Sequence, residues 1–204
     1  MIVLMILIEL ISGPVIGENS VIYMYLRLKF GWNEVDYSIF NSVHFGIQMI
    51  GNSFSLTFFS KFLKLDDALL GIIAMTSKIL GCLFYAFAPT GFYFYFGAVV
   101  EIFHSTNYIA VRAIMAKTVR SEDLGKSNSV FGICESIAPI IFGPLYAKVY
   151  SLTLTSFPGS FYLITTVMYA VAFLLFLWLY LTGKKEAKSR GKTVETMKSI
   201  ELEA

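Results

Sequence analysis

Six apolar stretches of about 17 to 26 residues, divided by short polar connections, dominate this chain, and each is long enough to cross a ~30 Å hydrocarbon core as a helix. They fall near residues 2–27, 37–60, 68–88, 91–116, 127–147 and 159–182. A soluble helix would carry a polar stripe along one side. These stretches are mostly apolar all round, so lipid must cover them and each backbone group must find its partner within a helix. The expected class is all-α membrane, with six transmembrane helices over residues 1–182 and a polar tail over 183–204. Of the 204 residues, 56% are hydrophobic and 15% charged, and the net charge of +2 averages a neutral body with a basic tail, which gives no ground for a nucleic-acid partner.

The first stretch, MIVLMILIELISGPVIGENS, has no basic leader and no small-residue cleavage site, so it reads as a retained helix. Cys82 and Cys134 lie inside apolar spans, which suggests neither a disulfide framework nor a metal site. Basic residues are retained on the cytoplasmic side of a membrane. Lys61, Lys64, Lys117, Arg120, Lys126 and six residues of the tail fall on one side, against Arg27, Lys29 and Lys148 on the other. That asymmetry places both termini in the cytoplasm. The tail GKKEAKSRGKTVETMKSIELEA alternates in charge and is poor in apolar residues, so disorder is expected there. Its lysines also favour an anionic lipid surface.

Charges inside a span carry the most information, because each costs roughly 2.5 to 3.5 kcal/mol at a helix centre. Glu9, Glu18, His44, Lys78, Glu101, His104, Arg112 and Glu135 are the candidates. Glu9 and Arg112 also admit a reading in which they reach the headgroups. Glu18 stands in SGPVIGENS, where Gly13, Pro14 and Gly17 weaken a turn of helix. Two readings are open: a broken helix beside a carboxylate that binds a solute or proton, or a kink from which Glu18 reaches the outer interface. Lys78, at the centre of the third span, requires a carboxylate, and Glu101 and Glu135 are the two considered.

In the second span Asn41, His44, Gln48, Asn52 and Ser55 recur at steps of three and four and share one helical face. They either bind neighbouring helices or line a wet cavity. His44 is the group there that titrates nearest neutrality, as a proton carrier or as a satisfied structural histidine. The fourth span repeats the pattern with Glu101, Ser105, Tyr108 and Arg112, and His104 and Asn107 lie on an adjacent strip. On a continuous helix Glu101 and Arg112 would stand about 16 Å apart, too far to pair directly. The Arg112 fork suits a carboxylate. In the fifth span Glu135 is followed by Pro139, Gly143 and Pro144, a pattern fit either for a rocking helix or for close packing. No hydrolase, metalloprotease or nucleotide-binding motif occurs, so an enzyme is not expected.

Six helices with a basic loop after the second resemble the C-terminal half of a major facilitator superfamily transporter. The stretch VRAIMAKTVRSEDLGKSNSVF, through Arg112, Lys117, Val119, Arg120, Glu122 and Gly125, resembles the tenth-to-eleventh helix junction of the proton-coupled folate transporter and thymic stromal cotransporter family. LGCLFYAFAPTGFYFYFG is similar to that family's preceding turn.

The resemblance implies one six-helix half of that fold, and symport of a folate-like or related organic anion with protons by alternating access. It implies a missing N-terminal half or a second copy as partner, and residence in the plasma or lysosomal membrane. It needs no cofactor and no metal. Arg112 would be the cavity-facing arginine. With the polar faces above, the candidate substrate-binding residues are Arg112, Tyr108, Glu101, Gln48 and Asn52, and the proton-coupling residues Glu18, His44 and Glu135. Pro14, Gly17, Pro139 and Pro144 are the candidate hinges. A non-transporting membrane scaffold or regulatory half is the competing function.

Overall fold

A computed structural model describes the backbone of residues 2–63 and 65–203, and side chains except at residues 1–6, 8, 9, 12, 60, 61, 64 and 185–204. The side chains of Glu9, Lys61, Lys64 and most of the tail therefore lie outside the described residues. Among the described residues there are seven α-helices and no strand: α1 (Ile2–Phe30), α2 (Glu34–Phe54), α3 (Asp67–Phe87), α4 (Gly91–Val100), α5 (Thr106–Thr118), α6 (Leu124–Thr153) and α7 (Ser160–Glu203). A π-helical segment, Ser55–Phe62, continues α2. Asp67–Phe87, Ser121–Thr153 and Ser160–Lys184 are long and apolar enough to cross a membrane.

The helix ends follow local chemistry. Gly31, at φ +68°, turns the chain out of α1, and its N–H donates to the Arg27 carbonyl. Asn33 then caps α2 by accepting from the N–H groups of Val35 and Asp36, while Asp36 accepts from the Asn33 N–H. The Tyr23 hydroxyl donates to Glu34 at 2.7 Å and holds that exposed carboxyl below its ordinary range. At the end of α3 the Tyr25 hydroxyl donates to the Tyr85 carbonyl at 2.9 Å, and the Lys29 ammonium donates to that hydroxyl at 2.7 Å.

Helix α1 packs along α6, α3 packs along α7, and α5 lies against α3. Two apolar clusters result. One gathers Tyr25, Phe40, Tyr85, Phe94, Phe161 and Tyr162; the other gathers Leu7, Met75, Val111, Phe131, Tyr169 and Phe176. Each of the long helices α1, α3, α6 and α7 contributes to both, so a band of the bundle between them is left for polar groups.

Four sequence expectations change here. The span 91–116 is two helices, with turns through residues 101–105. Its apolar run hides the break, which is stabilised by groups from elsewhere in the chain. Helix α1, expected to weaken at Pro14 and Gly17, runs unbroken. The Ile11 carbonyl, in the turn before Pro14, accepts from the Tyr169 hydroxyl at 2.9 Å, and Gly13 and Gly17 lie so near α6 that a Cβ would meet the Phe142 and Tyr146 rings at 2.3 and 2.4 Å. These glycines serve contact between helices. Helix α6 is likewise continuous through Pro139 and Pro144. The tail, expected to be disordered, carries on as the helix α7 to Glu203, in keeping with its many Lys and Glu residues.

Candidate functional site

Between the two apolar clusters, Lys78 of α3 donates to Glu18 of α1 at 2.7 Å and to Glu101 at 2.8 Å. The three residues are 3%, 6% and 1% exposed. Burial of this kind is tolerated only because each charge has a partner at hydrogen-bond distance. The Cys82 thiol donates to the other Glu18 oxygen at 3.5 Å, and the Lys78 ammonium lies 5.9 Å from the centre of the Tyr169 ring. Two carboxylates share one ammonium. Glu101 Oε2 has no hydrogen-bond partner among the described residues, and His44 Nε2 stands 3.9 Å from it.

The turn that carries Glu101 also docks α2. Gln48 donates its amide to the Glu101 carbonyl at 2.9 Å and accepts from the Ser105 hydroxyl at 2.5 Å. Ser77 of α3 donates to the Val100 carbonyl at 2.7 Å and accepts from the Phe103 N–H at 3.3 Å. Carbonyls and amides freed by the break are thus satisfied by side chains, as burial in an apolar medium demands. Gly51 lets α2 approach closely, since a Cβ there would lie 2.0 Å from the Ile102 carbonyl oxygen.

Two confluent cavities open beside this turn. One, of about 590 Å³, runs along α2 past Asn41, His44, Gln48 and Asn52. The other, of about 530 Å³, is a cleft between α5 and α6 floored by Ile11, Val15 and Ile16 of α1, with Tyr108 on one side and Glu135 on the other. Val15, Asn52, His104 and Ser105 border both. Across the cleft, Arg112 Nη2 lies 3.8 Å from Glu135 Oε1. The Arg112 guanidinium donates to the Tyr108 hydroxyl at 3.0 Å and sits 4.7 Å from that ring's centre.

Of the residues singled out in the sequence, Gln48, Asn52, His44, Tyr108 and Glu135 border the cavities. Arg112 is half exposed at the rim of the cleft. Glu101, expected as a substrate contact on the same helical face as Arg112, is instead buried at the end of α4 and turned toward Lys78. The break divides that face. Glu18 is the second Lys78 partner and belongs to an intact helix; Glu135, considered as a Lys78 partner, faces Arg112. Helical spacing puts Cys82 on the Lys78 face, but it gave no sign of Ser77 or Tyr169, whose roles depend on helices far away in the chain. His104 and Asn107, whose side chains lie 3.3 Å apart, both line the cleft.

Comparison with known proteins completes the description. The Major Facilitator Superfamily model matches residues 6–202. A probable peptidoglycan muropeptide transporter of Drosophila melanogaster is 23% identical over 162 residues, which is 78% of this chain and 31% of that protein. Solute carrier family 46 member 2 of Mus musculus is 23% identical over 162 residues, 75% of this chain and 32% of that protein. The chain spans about a third of the length of the curated relatives it matches.

Proposed function

This chain belongs to the Major Facilitator Superfamily, and from that membership we propose that it forms a six-helix half of a carrier that moves an organic anion together with protons by alternating access. As a family member it is an integral, multi-pass membrane protein and not an enzyme. The second half of the path comes from a further six-helix unit, on the same polypeptide or as a second copy of this one. Both termini face the cytoplasm, and the membrane is the plasma or the lysosomal one.

One observation carries this reading: a polar wall in an otherwise apolar body. Asn41, His44, Gln48 and Asn52 from α2, with His104, Ser105 and Tyr108 from the α4–α5 region, surround joined cavities of about 590 and 530 Å³. Such groups are costly against lipid and natural along a wet solute path between two halves. Both relatives are named as carriers, and one is named for a muropeptide. Arg112 supplies the positive charge for the anion, Tyr108, Gln48 and Asn52 supply hydrogen bonds, and Glu101 acts behind the wall through Gln48. His44, reaching from the cavity toward Glu101, is the entry point for the proton, with Glu18 and Glu135 as further acceptors. Pro14 and Gly17 in α1, and Pro139 and Pro144 in α6, are the points about which the two helices would rock.

The test is uptake by proteoliposomes containing the native product, with labelled folate and a labelled muropeptide, at acidic and neutral outer pH. Uptake that rises with outer acidity supports the proposal. Stable association with another helix bundle and no flux of either solute would replace it with a non-transporting scaffold.

A further inference from the structure

We propose that the cleft between α5 and α6 is built for a zwitterion: a solute with a carboxylate for Arg112 and an ammonium group for Glu135, joined by a small, partly apolar body. This changes the solute of the carrier just described from a net anion to a zwitterion whose carboxylate Arg112 still takes, and it rests on that carrier reading.

The argument starts from how poorly the two charges satisfy each other. Their 3.8 Å separation is beyond hydrogen-bond range. Glu135 Oε1 is buried without a hydrogen-bond partner among the described residues. Arg112 spends one donor on the Tyr108 hydroxyl and lies over that ring, which fixes its plane and leaves most of its five N–H groups unused. Helices α5 and α6 both lean on α1, and the pair spans the gap between them.

A ligand entering this gap replaces a charge pair, so its own charge decides the outcome. A simple anion would gain Arg112 and be repelled by Glu135. A simple cation would gain Glu135 and be repelled by Arg112. A zwitterion with its groups a few bonds apart meets both and leaves the cleft neutral, which matters where net charge is expensive. The rest of the cleft fits the same molecule. Asn52, Ser105 and Asn107 offer amide and hydroxyl groups to a peptide-like backbone, and Ile11, Val15 and Ile16 offer an apolar floor to its side chain. A volume of about 530 Å³ holds a small ligand of that kind.

Equilibrium binding to the purified native product, with labelled folate as reference, tests this using three probes: alanyl-phenylalanine, its N-acetyl form and its C-terminal amide. The free dipeptide should bind about tenfold to a hundredfold more tightly than either blocked form, the scale of one charge-assisted hydrogen bond. Glu135→Gln should erase the preference over the acetylated form, and Arg112→Gln the preference over the amide, with Glu135→Asp restoring part of the first. Thermal midpoints near that of the wild type show that these variants are folded. Equal or tighter binding of the acetylated dipeptide, with folate bound, overturns the zwitterion site and leaves the carrier standing. Binding of no probe, folate included, together with no uptake, overturns both.

Discussion

The Lys78 ammonium and the Glu18 carboxylate, 60 residues apart in sequence, meet at 2.7 Å between two apolar clusters and tie α3 to α1 at the middle of the bundle. Glu101 completes the arrangement from the end of α4. Replacing Lys78 with Met leaves two buried carboxylates without the ammonium they share. The expected loss is about 3–5 kcal/mol of stability, the usual cost of stranding a buried charge. Thermal unfolding in detergent measures it. Adding Glu18→Gln and Glu101→Gln to the same variant should recover most of the loss; failure to recover would mean that Lys78 contributes through packing.

Arg112→Ala should reduce uptake of a carboxylate-bearing solute by about tenfold or more, because it removes a charge-assisted hydrogen bond at the rim of the cleft. Insertion should be unaffected, since the side chain is half exposed and its partners are Tyr108 and Glu135 alone among the described residues. Arg112→Lys should restore only part of the rate, for an ammonium cannot reproduce the planar fork. Unchanged flux in the Ala variant would remove Arg112 from the path.

His44 borders the larger of the two cavities, and its Nε2 stands 3.9 Å from Glu101 Oε2. In a proton-driven carrier, uptake rises as the outer pH falls. His44→Ala should flatten that rise and leave residual flux at neutral pH. Initial rates across outer pH, wild type against variant, make the comparison. A wild-type profile already flat ends the case for proton coupling, and an unaltered slope in the variant moves the proton site elsewhere.

Two glycines of α2 should respond in opposite ways. Gly51→Ala drives a methyl group to within 2.0 Å of the Ile102 carbonyl oxygen, so α2 must back away from the turn and stretch the Gln48 contacts. A loss of about 1–3 kcal/mol is expected, as for other overpacked sites. Gly46 faces open space, and Gly46→Ala should be neutral or gain up to about 1 kcal/mol from helix propensity. Paired melting curves decide it, and equal effects at the two positions would contradict the close approach of α2.

How far the sequence reveals this molecule depends on the range of the interaction. The face shared by Asn41, His44, Gln48, Asn52 and Ser55 is a matter of helical period; the first four are found along one cavity, and Ser55 is buried away from it. The need of Lys78 for a carboxylate is legible from composition alone, and Glu101 was one of two candidates. Glu18 was not, because its pairing depends on how α1 lies across α3. The break at residues 101–105 was hidden for a related reason. Nothing between Val99 and Asn107 is Pro or Gly, and the run of Ser105, Thr106 and Asn107, which competes for backbone hydrogen bonds, is the one local hint. Pro14 misled in the opposite direction, since contacts with Tyr169 and α6 keep its helix whole.

The divided fourth span also bears on how the chain is made. At ten residues, α4 covers about 15 Å, half of a bilayer's hydrocarbon core, and ends in backbone groups that lipid cannot satisfy. The side chains that satisfy them, Gln48 and Ser77, belong to α2 and α3 and leave the ribosome earlier. Vectorial synthesis therefore delivers the acceptor-binding side chains before the carbonyls that need them, and the order of the chain is itself a folding aid. A permuted gene that placed α4 and α5 ahead of α2 would encode the same contacts and forfeit that timing.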